Sequence, residues 1–434
     1  MSASRLTALV LALFVCRAAL GALVIPPWQG PDEPPHYVVA EQVAAGDVND
    51  PVIRAQLERD VLESMARHTW WRGYSLPTPD PVPATFADEP EHLGRGNTLQ
   101  PLYFWIAGGL LRISTVRGLE DRYMLLRALS IALGAATIMM AWAGTKLLFG
   151  PQTAAVVAII GALHPQFLLN ALSTTPDSLA NAFGALVWWQ GARFVLSAAP
   201  GAGALAIASA TAGVLTKRNA VPLVAGALIM IAVGLWRHSR VSKRWAVWTA
   251  AACGAILIIV IVALVSTSAP YLVELRSSWY RTLFPTHPPR PITPLRIEEF
   301  VTGLIDSSWL VAGWLRYPAP QWWLTTIHVV TAMATLGGLV AFVKRPWLRW
   351  PIAIAAMLAL SQIVATIANG LLTDQAPQGR YLFVMAGPLA VLLWIGFYEW
   401  WSPKRRWLAA PALVALMLAL DITGWITTLL PAYA

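Results

Sequence analysis

Two adjacent carboxylates and an imidazole follow the first apolar run, in Pro26-Pro27-Trp28-Gln29-Gly30-Pro31-Asp32-Glu33-Pro34-Pro35-His36-Tyr37. A carboxylate placed there can take a proton from a hydroxyl nucleophile, or bind a cation. The prolines stiffen the frame and remove backbone donors. The plain alternative is a solvated acidic turn, or acids favouring the N-terminus of a helix over 37–45. A second polar stretch holds His164-Pro165-Gln166 and then Ser173-Thr174-Thr175-Pro176-Asp177-Ser178-Leu179-Ala180-Asn181. Asp177 suits helix capping, and capping does not exclude catalysis.

Cations form a third group. Arg127, the pair Lys217-Arg218, and Arg380 within Pro377-Gln378-Gly379-Arg380-Tyr381 suit an anionic partner such as phosphate. Local acids or lipid headgroups are the alternative partners. A fourth stretch, 309–323, carries Trp314, Arg316, Tyr317 and Trp322, suited to stacking on a sugar or to an aromatic belt. Gln100-Pro101-Leu102-Tyr103-Phe104 opens a further apolar stretch, in which Tyr103 can serve as an anchor. His68, Trp70, Trp71 and His92 show no metal-ligand spacing. Neither a glycine-rich phosphate loop nor a nucleophile elbow is present.

The elements that must position these residues are membrane helices. The chain has 434 residues, 57% hydrophobic and 12% charged, with a net charge of +9. A soluble domain carries about 25% charged residues. Apolar runs of about 20 residues, long enough to cross a bilayer core, lie at 6–25, 128–148, 152–172, 178–197, 200–216, 219–236, 245–266, 321–343, 350–372, 381–400 and 407–430. The composition excludes a soluble enzyme, a disordered chain and a disulfide scaffold. Cys16 and Cys253 both sit in apolar runs. The 6–25 run is long for a signal core and leads straight into the proline-rich motif, so it reads as a membrane helix. The expected class is an all-α integral membrane protein in a single membrane domain, 1–434, of about eleven transmembrane helices. Its first extracytoplasmic loop spans 26–127 and its second large one 267–320.

Orientation follows from three loops that hold bases and no acids: Arg237, Arg240, Lys243 and Arg244; Lys344, Arg345 and Arg349; Lys404, Arg405 and Arg406. The positive-inside rule puts them in the cytoplasm. Counting crossings then puts the N-terminus inside as well, and Asp32, Arg127, Asp177, Lys217 and Arg380 outside. The count closes if 99–116 does not cross but lies in the outer interface. Of the 22 acids, 14 fall between Asp32 and Arg127, so the outer face is acidic with a few inserted cations. The expected setting is the plasma (inner) membrane, with no nucleic-acid partner.

These residues, in this order, resemble the GT-C superfamily of membrane glycosyltransferases, and within it a domain-of-unknown-function family of bacterial membrane proteins. The matching pieces are Pro31-Asp32-Glu33-Pro34-Pro35-His36, Gln100-Pro101-Leu102-Tyr103-Phe104, Thr175-Pro176-Asp177-Ser178-Leu179-Ala180, Thr216-Lys217-Arg218, Gly313-Trp314 with Pro318, and Gln378-Gly379-Arg380-Tyr381-Leu382-Phe383. One departure is that Gln100-Pro101 stands where the family pattern has two prolines, often after a histidine.

The resemblance implies a GT-C-like bundle with interfacial helices in the first loop. It implies transfer of a sugar from a polyprenyl-phosphate-linked donor to a glycan, lipid or protein acceptor in cell-envelope glycan synthesis. Asp32 looks like the catalytic carboxylate, with Glu33 and Asp177 as further catalytic candidates. Asp32 and Asp177 would hold a divalent cation (Mg or Mn) if one is used; no cofactor is certain. His36, Tyr103, Arg127, Lys217, Arg218, Trp314, Arg316, Gln378, Arg380 and Tyr381 are the candidate substrate-binding residues. Lipid phosphate is a good leaving group, and no separate nucleophile is evident, so inversion is expected. The alternatives are a transporter or flippase of lipid-linked saccharide, or a non-catalytic assembly protein. Transport would draw on mid-helix charges such as Arg17, Arg193, Glu399 and Asp421.

Overall fold

The computed structural model describes residues 3–48, 50–89, 93, 101–238 and 291–433. Gln100, His92, Cys253, the 245–266 run, Arg240, Lys243, Arg244 and 267–290 lie outside the described residues. The chain is an all-α membrane protein. Among the described residues seven helical stretches are long and apolar enough to cross a membrane: Arg5–Val24, Leu119–Phe149, Arg218–His238, Gln321–Lys344, Pro346–Thr373, Gly379–Glu399 and Pro403–Tyr433. Helix α1 is Ala3–Val24. In the polar segment after it, α2 (Glu33–Ala45) and α3 (Pro51–Arg67) form. Asp50 caps α3 by accepting from the amides of Val52 and Ile53, and Pro51 opens it. Helix α4 (Pro101–Ile113) has 13 residues. At about 1.5 Å per residue it reaches about 20 Å, short of a bilayer core.

Helix α5 (Leu119–Phe149) descends the full height of the bundle. The 152–172 run is read from sequence as one crossing, but it folds as two helices. These are α6 (Pro151–Leu163) and α7 (Pro165–Leu172), bent by 61°. The cause is Pro165, which has no amide hydrogen and disfavours helical geometry in His164 before it. His164 instead starts α7, its Nδ1 accepting from the Phe167 amide at 3.4 Å.

The break leaves the end of α6 with carbonyls lacking helical donors. Arg17 of α1 donates to one of them, Ala162 O, and pairs with Asp421, Nε to Oδ2 at 3.0 Å. Both partners are largely buried, and each neutralises the other. Two mid-helix charges thus have a structural task at the kink. Glu399 belongs elsewhere: it ends its helix and meets Arg345 at 2.6 Å and Arg406 at 3.8 Å.

Helices α8 (Asp177–Ser197), α9 (Pro200–Thr216) and α10 (Pro222–His238) follow. Helix α8 is buried along most of its length, so it tolerates polar residues such as Gln190 that a lipid-facing helix would not. Helix α11 (Pro294–Trp309) leads into a hairpin of β1 (Val311–Ala312) and β2 (Tyr317–Pro318), paired Val311 with Pro318 and Ala312 with Tyr317. Helices α12 (Gln321–Lys344), α13 (Arg349–Thr373), α14 (Ala386–Glu399) and α15 (Ala409–Gly424) complete the bundle. A tight turn, Gly379–Met385, leads into α14. Gly379 lets this turn lie on α11, because a Cβ there would overlap the Ser308 backbone.

One end of the bundle is basic. Arg237 stacks over Trp350 at 3.9 Å, and Arg345 and Arg406 share Glu399. The motifs around Asp32, Asp177 and Arg380 gather at the opposite helix ends.

The buried Arg17–Asp421 pair gives a stability prediction. Asp421→Ala leaves Arg17 uncompensated and should destabilise the protein by about 3–5 kcal/mol. A double variant, Arg17→Met with Asp421→Leu, should recover most of that loss. Detergent melting curves measure both, and a single variant that melts with the wild type would show the pair to be idle.

Candidate functional site

Asp32 occupies the position just before α2, with a left-handed φ of 64°. A residue there usually spends its side chain capping the second or third helical amide. Here those positions are Pro34 and Pro35, which have no amide hydrogen. The carboxylate makes no cap bond. Its Oδ2 accepts instead from Arg380 Nη2 at 2.7 Å. The side chain remains 44% exposed, so one edge of the carboxylate faces an opening.

Arg380 is the hub. Its Nη1 donates to Pro31 O at 3.3 Å and lies 3.5 Å from Asp177 Oδ2. Its Nε donates to Gln378 Oε1 at 2.8 Å. Asp177 opens α8, where the helix dipole favours an anion, and its other oxygen pairs with Lys217. Lys217 ends α9 and lies 4.9 Å from the centre of the Tyr381 ring. Arg380 lies 5.3 Å from the same ring. Asp32, Asp177, Lys217, Gln378, Arg380 and Tyr381 are thus brought together from four distant segments. Two acids and two bases make the cluster neutral. Burial pushes the Asp32 carboxyl up, but Arg380, His36 and Lys217 more than offset it and hold it at about 2. His36 is lowered to about 4, mainly by burial, so its ring is neutral at pH 7. Its Nδ1 is buried without a partner, and the ring lies 5.6 Å from that of Phe104. Tyr103 is buried beside Phe104 on α4.

Glu33 and Arg127 have different surroundings. Glu33 is fully buried. One of its oxygens accepts from the Gly30 amide at 2.6 Å, the other from the Tyr123 hydroxyl at 2.7 Å and the Thr174 amide at 2.8 Å. These bonds staple the Asp32 loop to the loop that carries Asp177. Arg127 donates to Ile25 O at 2.9 Å, Ala22 O at 3.2 Å, Pro26 O at 3.2 Å and the Tyr123 hydroxyl at 2.8 Å. It therefore caps the C-terminus of α1 and fixes where the Asp32 loop begins. Nothing in the local sequence signals Tyr123 or Thr174, because both act across more than 80 positions.

The aromatic residues pack inward. Trp28, Trp70 and Trp71 are fully buried. Trp70 and Trp314 both donate to Trp28 O, at 2.9 and 3.2 Å. Arg316 covers the Trp70 ring at 5.5 Å. Trp314 and Arg316 thus tie the β hairpin to the first loop, and Trp314 lines a small pit together with Gln378 and Arg380. Arg218 begins the short turn after Lys217, half-buried.

Two spaces adjoin the cluster. A large apolar cleft of about 820 Å³ runs between α5, α6, α11, α12, α13 and α14. The small pit, of about 40 Å³ and lined by apolar residues together with Arg127, Asn170 and Arg380, borders the same 379–385 turn. Ser307 lines the pit and Ser308 the cleft; Gln378–Arg380 line the pit, and Leu382 and Phe383 the cleft. The 379–385 turn therefore borders the pit with its charged end and the cleft with its apolar end. This arrangement suits a ligand with a charged head and a long apolar tail.

The stapling role of Glu33 predicts a separation of effects. Glu33→Gln should lower the melting temperature, by about 1–3 kcal/mol in stability, because it gives up charged acceptor bonds. Asp32→Asn should leave melting nearly unchanged. Equal melting of Glu33→Gln and wild type would show that Glu33 is not a staple.

Comparison with known proteins adds a finding from sequence. Residues 97–265 match the model of a family described as dolichyl-phosphate-mannose-protein mannosyltransferase, which falls in the GT-C superfamily. The matched stretch is less than half of the chain. It contains Arg127, Asp177 and Lys217, while Asp32 and Arg380 reach them through the fold. No curated protein matches the chain. Together with the all-helical membrane architecture, the family match supports a polyprenyl-phosphate-sugar-dependent membrane glycosyltransferase of the GT-C type.

Proposed function

We propose that the protein moves a single sugar from a polyprenyl-phosphate carrier to an acceptor hydroxyl at the extracytoplasmic face, inverting the anomeric carbon. The observation that carries this reading is the position of Asp32. Its part-exposed carboxylate shares Arg380 with Asp177, on a turn whose next residues, Leu382 and Phe383, line a cleft fit for a lipid tail. The basic loops at the far end of the bundle support a cytoplasmic assignment for that end. The cluster then faces out.

In this reading the acceptor hydroxyl sits at the open edge of Asp32. Its proton passes to the carboxylate as its oxygen bonds to the anomeric carbon. The bond from that carbon to the phosphate oxygen breaks, and polyprenyl phosphate leaves with the electron pair. Arg380 and Lys217 stabilise the charge that develops. While Arg380 holds Asp32 at about 2, the carboxylate is a weak base. A phosphate that draws on Arg380 loosens that hold and raises the basicity of Asp32. One guanidinium so links donor binding to acceptor activation. His36, neutral and beside Asp32, completes the wall of the acceptor site.

The donor set does not suit Mg or Mn. Arg380 lies between Asp32 and Asp177, and Lys217 takes the second oxygen of Asp177. A divalent ion there would press against two fixed cations. Among the described residues, no group of three or more His, Cys, Asp or Glu could hold a metal. Arg380 and Lys217 serve instead as the charge partners of the phosphate.

Asp32→Asn should lower transfer from a polyprenyl-phosphate sugar by about 10²–10⁴-fold, with expression and melting preserved. Full activity would remove Asp32 from the mechanism. Chelation with EDTA should leave the rate unchanged, and restoration by added Mg or Mn after a loss would contradict the metal-free reading. Proton NMR of the product should show inverted configuration; retention would require a covalent intermediate.

A further inference from the structure

Gly379 opens the turn that carries Arg380, and it is buried. The first amides of a helical turn have no acceptor within it. Gln378 holds the capping position, but its side chain makes no cap bond. Its Oε1 accepts from Arg380 Nε at 2.8 Å instead. The acceptor that the turn lacks comes from another helix. Ser307 of α11, only 3% exposed, accepts from the Gly379 amide at 2.9 Å through its Oγ. The same hydroxyl has Gly303 O at 2.6 Å in its own helix and Pro377 O at 3.1 Å across the interface as acceptors within reach. One hydroxyl therefore meets the backbone on both sides of Gln378.

Arg296, Phe300, Gly303 and Ser307 recur at helical spacing, so they share one face of α11. That face grips the whole connection from α13 to the turn. Arg296 donates to Leu371 O at 2.9 Å and pairs with Asp374. Phe300 lies against Gly370, and Gly303 against Pro377. Phe300 and Leu304 pack with Leu371 and Leu382 in one apolar cluster. These contacts set the path of the connection. Ser307 acts closer to the chemistry, because it bonds the residue next to Arg380. Gln378, bracketed by Ser307, then holds the guanidinium at Nε. A guanidinium is planar and rigid, so fixing Nε aims the other two nitrogens. Nη2 donates to Asp32 at 2.7 Å, and Nη1 lies 3.5 Å from Asp177.

We propose that Ser307 is a positioning residue for the transfer reaction: its hydroxyl caps the Arg380 turn from α11 and, through Gln378, aims the guanidinium at Asp32 and Asp177. The inference rests on the glycosyltransfer reading above and adds a residue outside the charged cluster on which the geometry of that cluster depends. Without the hydroxyl the buried Gly379 amide loses its acceptor, and the turn must move to find another. Gln378 and Arg380 move with it. His36 and Lys217, which also act on Asp32, lie on other elements and keep their places.

The test compares Ser307→Ala, Ser307→Thr and Phe300→Leu with the wild type, each as the full chain in detergent. Ser307→Ala removes the acceptor, and Ser307→Thr keeps it. Phe300→Leu loosens the same face of α11 without touching the bond. Infrared titration of carboxyl-labelled aspartate, with Asp32→Asn as the reference, reads the hold of Arg380 on Asp32 without any transfer reaction. Asp32 should titrate at about 2 in the wild type. In Ser307→Ala it should rise to about 3, since a nearby opposite charge lowers a carboxyl by about 1–3. Ser307→Thr should restore the wild-type value. Phe300→Leu should lower the melting temperature and leave Asp32 where it is. The kcat for transfer should fall about tenfold in Ser307→Ala, as misplaced groups cost rate, and recover in Ser307→Thr. Asp32 titrating in Ser307→Ala as in the wild type, or moving as far in Phe300→Leu, would overturn the positioning role. Ser307→Thr behaving like Ser307→Ala would assign the effect to packing and overturn it too. A raised Asp32 with an unchanged transfer rate would keep Ser307 as the holder of Arg380 and count against the glycosyltransfer reading instead.

Discussion

The site depends on one guanidinium. Arg380 comes from a turn near the C-terminus and meets Asp32 from the first loop and Asp177 from the head of α8. Asp177 in turn takes Lys217 from the end of α9. At the edge of a membrane, four such charges are tolerated only in balance, because each lone charge would carry a large desolvation cost. The balance explains why these segments converge. Remove Asp177, Lys217 or Arg380 and a buried charge is left unmatched, whereas Asp32 is part-exposed and its loss is better tolerated.

The rest of that end of the bundle serves to hold the convergence in place. Glu33 staples the Asp32 loop to Thr174, and Arg127 pins the same loop to the end of α1. Tyr123 links the two, donating to Glu33 and accepting from Arg127. Proline 34 and proline 35 leave Asp32 with no cap to make, so its carboxylate is available to the site. Gly379 lets the Arg380 turn lie against α11. Below, the broken pair α6 and α7 is steadied by Arg17 and Asp421. Lipid-facing positions ask only for apolar side chains, which the composition supplies in excess.

Much of this was legible from sequence where the signal is local. Length and hydropathy identify the membrane helices, and basic loops without acids identify one end of the bundle. Asp32, Asp177, Lys217 and Arg380 stand out because they are charges at helix ends on one face of the counted topology. Other roles depend on distant partners and carry no local mark. Glu33 looks as reactive as Asp32 until its oxygens are seen to be occupied. Arg127 looks like a surface cation but is almost fully buried. The 309–323 stretch suggests a stacking surface or an aromatic belt; in the fold Trp309 and Trp323 are buried and Trp322 is exposed. The proline at 165 signals a break in a run that hydropathy alone reads as continuous.

In the proposed mechanism Arg380 links the donor phosphate to the base at Asp32, and that link is measurable. Isotope-edited infrared titration of carboxyl-labelled aspartate, with Asp32→Asn as the reference, reports the Asp32 pKa directly. Without lipid it should lie near 2. With saturating farnesyl phosphate it should rise toward the ordinary carboxylate range, as Arg380 turns to the phosphate. A pKa that stays at its lipid-free value when the phosphate is bound would contradict the claim that one guanidinium couples the two.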